Sequence, residues 1–521
     1  MAALGNLESA VGERLRAMAA DAVVERIWSK DPTVWGGTRD TPELLNRLGW
    51  LSVADRVLAA DPAPVELAEG VRAECDLVVL CGMGGSSLAA DVFWSVFGPR
   101  SGFPPLAMLD STAPNAVRTI LGGASKPLFV ISSKSGSTLE TASFLSHFWQ
   151  LARADGSRFI AITDEGSRLY RQATEKGFRA VVQGDPDVGG RFSALSPFGI
   201  VPAALTGSDV NAVIAGARSA MEACRHPASV ENPGAWLGAV LGEAAVAGRD
   251  KLTLLLSPEL SSFGGWVEQL VAESTGKQGK GLLPVIDDGA ADLGSFGADR
   301  LFVSLEIGGR VDEAVDVRMN ALAKRGHPVV GLALGSRNDL GAEFFRWEFA
   351  TAVAAAVIGV NPFDQPDVGE SKARTARVLE SQTKPRAIPE PDPVDFAAWI
   401  SLVAPGDYLA ILVYTAPTAE TDRLLGGIAR SLQERLNIAV TVGYGPRYLH
   451  STGQYHKGGP ARGHFIQVVE LPEDDLPVPG GEHSFGEIAR AQAEGDASAL
   501  GTRERPVFRL PSVRALHQLL A

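Results

Sequence analysis

The chain has 521 residues, 45% of them hydrophobic and 21% charged, with 57 glycines and a formal net charge of -13. That length exceeds what one hydrophobic core organises, so two or three packed units are expected, and the composition excludes a disordered or fibrous protein. The acidic balance excludes a nucleic-acid backbone or an anionic membrane as the main partner, because both need basic faces; any bound anion must be small and locally caged.

The N-terminus carries Glu8, Glu13 and Arg14 where a secretory leader needs an apolar core. Residues 1–69 read as a helical arm, with apolar positions such as Leu45, Leu48 and Leu51 set among charged ones. From Asp76 the texture changes. DLVVLCG, PLFVIS, RFIAIT and RAVVQ are short apolar runs bounded by turn residues, with helical stretches between most of them, which is the pattern of βαβ units and a parallel sheet. This first α/β unit is expected over residues 70–210.

A helical link follows around Asn211 to Gly248, and then KLTLLLS, RLFVSLEI and PVVGLAL mark a second α/β unit, expected over 211–388. Asn338–Val360 reads as a buried helix. Its run Phe349–Val360, the longest uncharged apolar stretch, is too short to span a bilayer, so no membrane partner is expected. Pro362 disfavours helical geometry at Asn361, which forces a loop, NPFDQPDVGE. The prolines of AIPEPDPVDF make it the best linker candidate. Residues 389–521 then form a C-terminal α/β segment with DYLAILVYT, a helix around Arg423–Leu436, AVTVGYG, HFIQVVEL and a last helix near Arg514. Cys75, Cys81 and Cys224 are odd in number and lack CxxC spacing, so a reducing cytoplasm fits better than a disulfide framework.

The chemistry-bearing residues cluster at corners of these units. CGMGGSSL (81–88) follows an expected strand and opens a helix, where glycines let a ligand approach free backbone amides. A dinucleotide fingerprint, with Asp110 ending the next strand, is one alternative, although Ser87 stands where the third glycine belongs; a tight structural turn is another. The loop SSKSGSTLET offers hydroxyls from Ser133, Ser135, Ser137 and Thr138, room to curl at Gly136, and one cation, Lys134. Such a set suits a phosphate monoester, and its plainer alternative is a Ser/Thr-rich helix cap. In DVGGRFSALSPFG, Arg191 can aim a planar fork of donors at an oxyanion or can simply form a surface ion pair. In VEQLVAESTGKQGKG, Glu268 and Glu273 lie five apart on one helix and so on different faces; Glu273, near the helix end, is the better candidate for a site. Gln365 and Lys372 belong to the NPFDQPDVGESK loop, and His450 and His456 to YLHSTGQYHKGG. No HExxH occurs among the histidine spacings, and no metal is expected.

Taken together, CGMGGSSL, SSKSGSTLET, GGRFSALSPFG, VAESTGK, FDQPDVGESK and YLHSTGQYHKGG resemble the motifs of one family, the phosphoglucose isomerases of the sugar-isomerase (SIS) fold. The resemblance implies two SIS-type three-layer αβα units with parallel sheets, plus the helical arm and the C-terminal α/β piece, which would complete the second unit. It implies that Ser133, Lys134, Ser135 and Thr138 hold a sugar phosphate, that Gly85 and Ser86 line the sugar and that Gln365 positions it. Arg191 would stabilise a negative intermediate, Glu273 would shuttle the proton, and His450 with Lys372 would open the ring. No cofactor is implied. In the ordinary family the histidine motif precedes the lysine motif, whereas here Lys372 comes first and His450 follows the linker, an order similar to that of the isomerase part of transaldolase–isomerase fusions, without a transaldolase's length. The family's histidine reaches in from a neighbouring subunit, so either a homodimer or a monomer supplying His450 to its own site is compatible with the altered order. A non-catalytic sugar-phosphate sensor, a dual phosphoglucose/phosphomannose isomerase and an NAD-dependent oxidoreductase are the competing expectations.

Overall fold

The computed structural model describes residues 2–308, 313–381 and 388–520. Its strands are β1 (Ala2–Ala3), β2 (Leu77–Cys81), β3 (Leu106–Leu109), β4 (Pro127–Ser132), β5 (Phe159–Thr163), β6 (Ala180–Gln183), β7 (Lys251–Leu256), β8 (Leu283–Asp287), β9 (Arg300–Ile307), β10 (Val329–Leu334), β11 (Tyr408–Tyr414), β12 (Ala439–Tyr444), β13 (Gly463–Val469) and β14 (Val507–Leu510). Among the described residues they make three sheets, in the orders β3-β2-β4-β5-β6, β1-β10-β9-β7-β8 and β12-β11-β13-β14. All pairs are parallel except β1 with β10, where Ala2 lies opposite Val330.

The first sheet is covered on both faces, which is why its strands read as unbroken apolar runs. Val78, Leu80, Val130, Ile160 and Ile162 enter the main core, while their neighbours Val79, Cys81, Phe129, Ile131 and Ala161 point into a second core on the opposite face. The third sheet does the same. Leu409, Ile411 and Val413 pack on Phe396 and Leu425, whereas Tyr408, Ala410, Leu412 and Tyr414 share a core with Leu283 and Val285 of β8 and with Ala272. The C-terminal segment thus joins the second unit through side chains rather than by extending its sheet. Pro284 on β8 has no N–H to offer another strand, as suits an edge.

Several elements differ from expectation. The arm begins with the short strand β1 and continues with helices Glu8–Ala20 and Val23–Trp28, but from residue 32 to 59 it consists of short 3-10 turns, because Pro32, Pro42, Gly36, Gly37 and Gly49 interrupt any longer helix. The helix expected over Asn338–Val360 spans Leu340–Ile358. It lies close against the helix Pro233–Val246, where a Cβ on Gly238 would sit 2.5 Å from Val353 Cβ. The loop at Asn361 is shorter than expected, since a helix already starts at Val368 and runs to Glu380, placing Lys372 on a helix. Pro393 opens the helix Pro393–Ile400 from its first turn, where proline's fixed φ is favourable, so the expected linker is helical from Pro393 to its end at Phe396; Ala387 lies outside the described residues.

Candidate active site

Strand β4 ends in the hydroxyl loop, which feeds the helix Leu139–Leu151. Gly136 has φ +66°, and a Cβ there would lie 2.3 Å from Leu169 N, so only glycine fits this curl. Ser133 Oγ accepts the Gly136 N–H at 3.1 Å and sits 3.4 Å from Thr138 Oγ1, while Ser135 and Ser137 hydroxyls meet at 2.7 Å. Thr138 occupies the N-cap position yet makes no side-chain cap bond. The loop borders a cavity of about 560 Å³ that Ser86, Ser133, Lys134, Ser135, Thr138 and Gln365 help to line. Its cation is not solitary: Lys134 Nζ pairs with Asp164 at 2.7 Å and donates to Asp185 O at 2.9 Å, and Arg47 from the arm also lines the cavity.

The arginine corner adjoins this cradle through a contact between glycines. A Cβ on Gly85 would lie 1.9 Å from Gly190 O, and Ser193 Oγ donates to Gly85 O at 3.0 Å. Gly85 is therefore a packing position, whereas Ser86 faces the cavity. Arg191, 5% exposed, donates through Nε to Ser274 Oγ at 2.9 Å and through Nη2 to the carbonyls of Pro362 at 2.6 Å and Asp364 at 2.8 Å. Its Nη1 stands 3.5 Å from Glu273 Oε2. Burial draws the guanidinium below its usual range, opposed by the charges of Glu273 and Asp364.

Glu273 lies near the end of the helix Ser261–Thr275 and is 4% exposed. One turn earlier, Gln269 Nε2 donates both to Glu273 Oε2 at 3.3 Å and to the His450 carbonyl at 2.7 Å. The same helix sends Glu268 the other way, toward a cavity between β8 and β12, as the five-residue spacing predicts. Just beyond the helix, Lys277 Nζ is tied to Asn361 O, Asp364 O and Asp364 Oδ1 at 2.5–2.6 Å, and burial with the nearby Arg191 charge brings it down to about 8.

His450 ends the 3-10 turn Arg447–His450 after β12. Arg447 anchors that turn to the first unit through Asp110 at 2.6 Å and Asp91 at 3.3 Å. His450 Nε2 meets Glu140 Oε1 at 3.1 Å; the same oxygen accepts Gln492 Nε2 at 2.7 Å, and Gln492 Oε1 accepts Thr112 Oγ1 at 3.0 Å. Burial works against the Glu140 charge, but His450 holds the carboxyl below its usual range. A carboxylate can only accept, so the His450 Nε2 carries a proton in this contact. Lys372, on an exposed rim, and His450 line a second cavity of about 450 Å³ that shares Ser135 and Thr138 with the first. Ring-opening candidates and the phosphate cradle therefore adjoin. His456 lies elsewhere, buried with its Nδ1 3.1 Å from Tyr408 OH, and burial keeps it neutral.

Glu140, Gln269, Gln492 and Lys277 are functional candidates that the sequence reading passed over. Gln269 stands four residues before Glu273, a spacing that places both on one helical face. Glu140 carries no such signal, because an acid in a helix's first turn is commonplace.

No family model matches the chain. A curated glucose-6-phosphate isomerase from Rubrobacter xylanophilus is 32% identical over 374 residues, covering 60% of this chain and 85% of that protein. One from Heliobacterium modesticaldum is 30% identical over 389 residues, covering 64% of this chain and 87% of its own. Among solved structures, a hypothetical protein from Thermus thermophilus superposes with a TM-score of 0.63 at 25% identity, over 73% of this chain and all of the other. A glucose-6-phosphate isomerase from Chlamydia trachomatis shares the fold at a TM-score of 0.58 and 18% identity, over 75% of this chain and 89% of its own. On these similarities the chain belongs to the glucose-6-phosphate isomerase family.

Proposed function

We propose that this chain interconverts glucose 6-phosphate and fructose 6-phosphate, with Glu273 moving the proton between C1 and C2. The observation that carries this is the placement of Glu273: buried, 3.5 Å from the Arg191 guanidinium, and joined through Gln269 to the turn that bears His450. Oxidation of the substrate by an external agent is not required, since the aldose and ketose differ only in where two hydrogens sit, one moving from C2 to C1 and one from O2 to O1.

Ser133, Ser135, Thr138 and the Lys134 backbone grip the phosphate, Ser86 lines the sugar and Gln365 orients it, with Gly85 setting how closely the two glycine corners approach. His450 then exchanges a proton with the ring oxygen while Lys372 stabilises the alkoxide, and Glu140 holds the imidazole in one tautomer. In the open chain, Glu273 takes the C2 proton and the negative charge of the enediolate develops beside Arg191; removing such a partner costs about 3 kcal/mol of transition-state stabilisation. Return of the proton to C1, with the O2 hydroxyl proton passing to O1, yields the ketose. The phosphate grip, remote from the reacting carbons, keeps them in register. His450 comes from the same chain, supported by the contacts from its backbone to Gln269 and from its ring to Glu140.

The test is product analysis by NMR after incubation with fructose 6-phosphate in deuterated water, for the wild type and Glu273→Gln. Expected are glucose 6-phosphate with deuterium at C2 from the wild type, and isomerisation lowered by roughly 1,000-fold in the variant with binding of a phosphorylated inhibitor kept. Unchanged turnover in Glu273→Gln would sink the assignment; mannose 6-phosphate among the products would widen the substrate range.

A further inference from the structure

Beneath the second cavity lies a carboxylate that the proposed chemistry does not use. Asp496, on the helix Phe485–Thr502, has no solvent exposure. Its Oδ1 accepts Lys457 Nζ at 2.6 Å and Ser371 Oγ at 3.3 Å, and its Oδ2 accepts Tyr448 OH at 2.6 Å, which in turn meets Tyr414 OH at 3.0 Å. These donors come from separate stretches of chain. Tyr448 sits two residues before His450 in the same turn, and Ser371 immediately precedes Lys372 on its helix. Lys457, on the short helix Gly453–Gly458, lines the same cavity as His450 and Lys372.

A buried ion pair adds little stability over well-packed apolar side chains, but it fixes the geometry of whatever must satisfy it. Here those groups are the immediate neighbours of the two ring-opening residues, which the order of this chain separates by the linker. We infer that Asp496 is a positioning residue for ring opening, locking the His450 turn and the Lys372 helix in one register. The inference rests on the isomerase function proposed above. Other ties hold the Lys372 helix on its neighbour: Arg503 to Glu370 at 2.9 Å and Arg374 Nη1 to Ser498 Oγ at 2.9 Å. Loss of the Asp496 charge therefore shifts the register of the pair without releasing the helix.

The test compares wild type, Asp496→Asn and Tyr448→Phe, the last removing only one hydroxyl so that a folding failure of the first leaves a second variant to decide. Three quantities are read: steady-state isomerisation, exchange between the α and β anomers of glucose 6-phosphate by NMR, and binding of sorbitol 6-phosphate, an acyclic ligand that needs the grip but no ring opening. In Asp496→Asn, kcat and anomer exchange are expected to fall together by roughly 10- to 100-fold, with a smaller parallel fall in Tyr448→Phe. KM and sorbitol 6-phosphate binding are expected to stay within about twofold, a split that a general loss of structure does not produce. Anomer exchange at the wild-type rate in both variants, or isomerisation lost while exchange is intact, overturns the inference. A wild-type protein that neither isomerises nor exchanges anomers overturns the isomerase function itself, and the inference with it.

Discussion

At the scale of single residues, Glu140 has the position of an ordinary helix-start acid, yet its carboxylate is spent on His450 and Gln492 rather than on its own helix. Replacing it by glutamine keeps the shape and removes the charge that favours one histidine tautomer. Glu140→Gln is expected to lower kcat by roughly 10- to 100-fold with little change in thermal stability, read from coupled kinetics beside a melting curve. Equal kcat in the two proteins would place His450's orientation under other control. Side chains such as Glu273, Arg191 and Gln365 were legible as candidates because each sits in a short local motif. The partnership of Lys134 with Asp164 was not, since Asp164 arrives thirty residues later, just past the end of the next strand, and only the folded sheet brings them to 2.7 Å. The Ser/Thr cap alternative is likewise decided only by the folded loop, in which Thr138 makes no side-chain cap bond to its helix.

At the scale of elements, the contact between Gly85 and Gly190 sets the distance between the CGMGGSSL corner and the corner that carries Arg191. Gly85→Ala would drive a methyl into Gly190 O, now 1.9 Å from where it must go, so one backbone has to move. A loss of about 2 kcal/mol or more in stability, and a larger proportional loss in activity, is expected from unfolding curves and kinetics. Gly70→Ala is the contrasting change: it lies in the helix Pro64–Val71 with nothing within 4 Å of its Cβ, and a gain of about 0.5–1 kcal/mol is expected there. A destabilised Gly70→Ala or an unaffected Gly85→Ala would contradict this account. Strands buried on both faces, such as β4, β7 and β11, announced themselves as apolar runs. Those that did not are the sheet margins: β8 carries a proline and an aspartate, β14 an arginine, and β1 has only two residues. Edge positions need less apolar surface, so pattern alone underweights them.

At the scale of the whole molecule, the second and third sheets meet across the cavity that Glu268 lines, and burial pushes that carboxyl up to about 7, against the opposing charge of Arg447. A carboxyl raised in the folded state holds its proton where the unfolded chain has lost it. Folding stability from this group is therefore full at low pH and is lost as pH rises from the unfolded value, near 4.5, through about 7. Glu268→Gln is expected to remove about 2 kcal/mol of that slope, so that wild-type and variant melting temperatures diverge between pH 5 and 7 in the variant's favour. Parallel curves would show that Glu268 ionises freely in the native protein. The joining of these sheets by side chains, with Tyr408, Ala410 and Leu412 set against Leu283 and Val285, could not be read from linear order, which left the C-terminal strands free to extend the second sheet instead.

The groups converging on the site come from as far apart in the chain as Arg47 and Asp496. A ribosome delivers those residues in sequence, and the first sheet, complete by Gln183, can consolidate long before Gln492 emerges. No nascent chain that lacks the helix Phe485–Thr502 can bring all of these groups together, so turnover should arise abruptly once that helix has emerged, never by degrees.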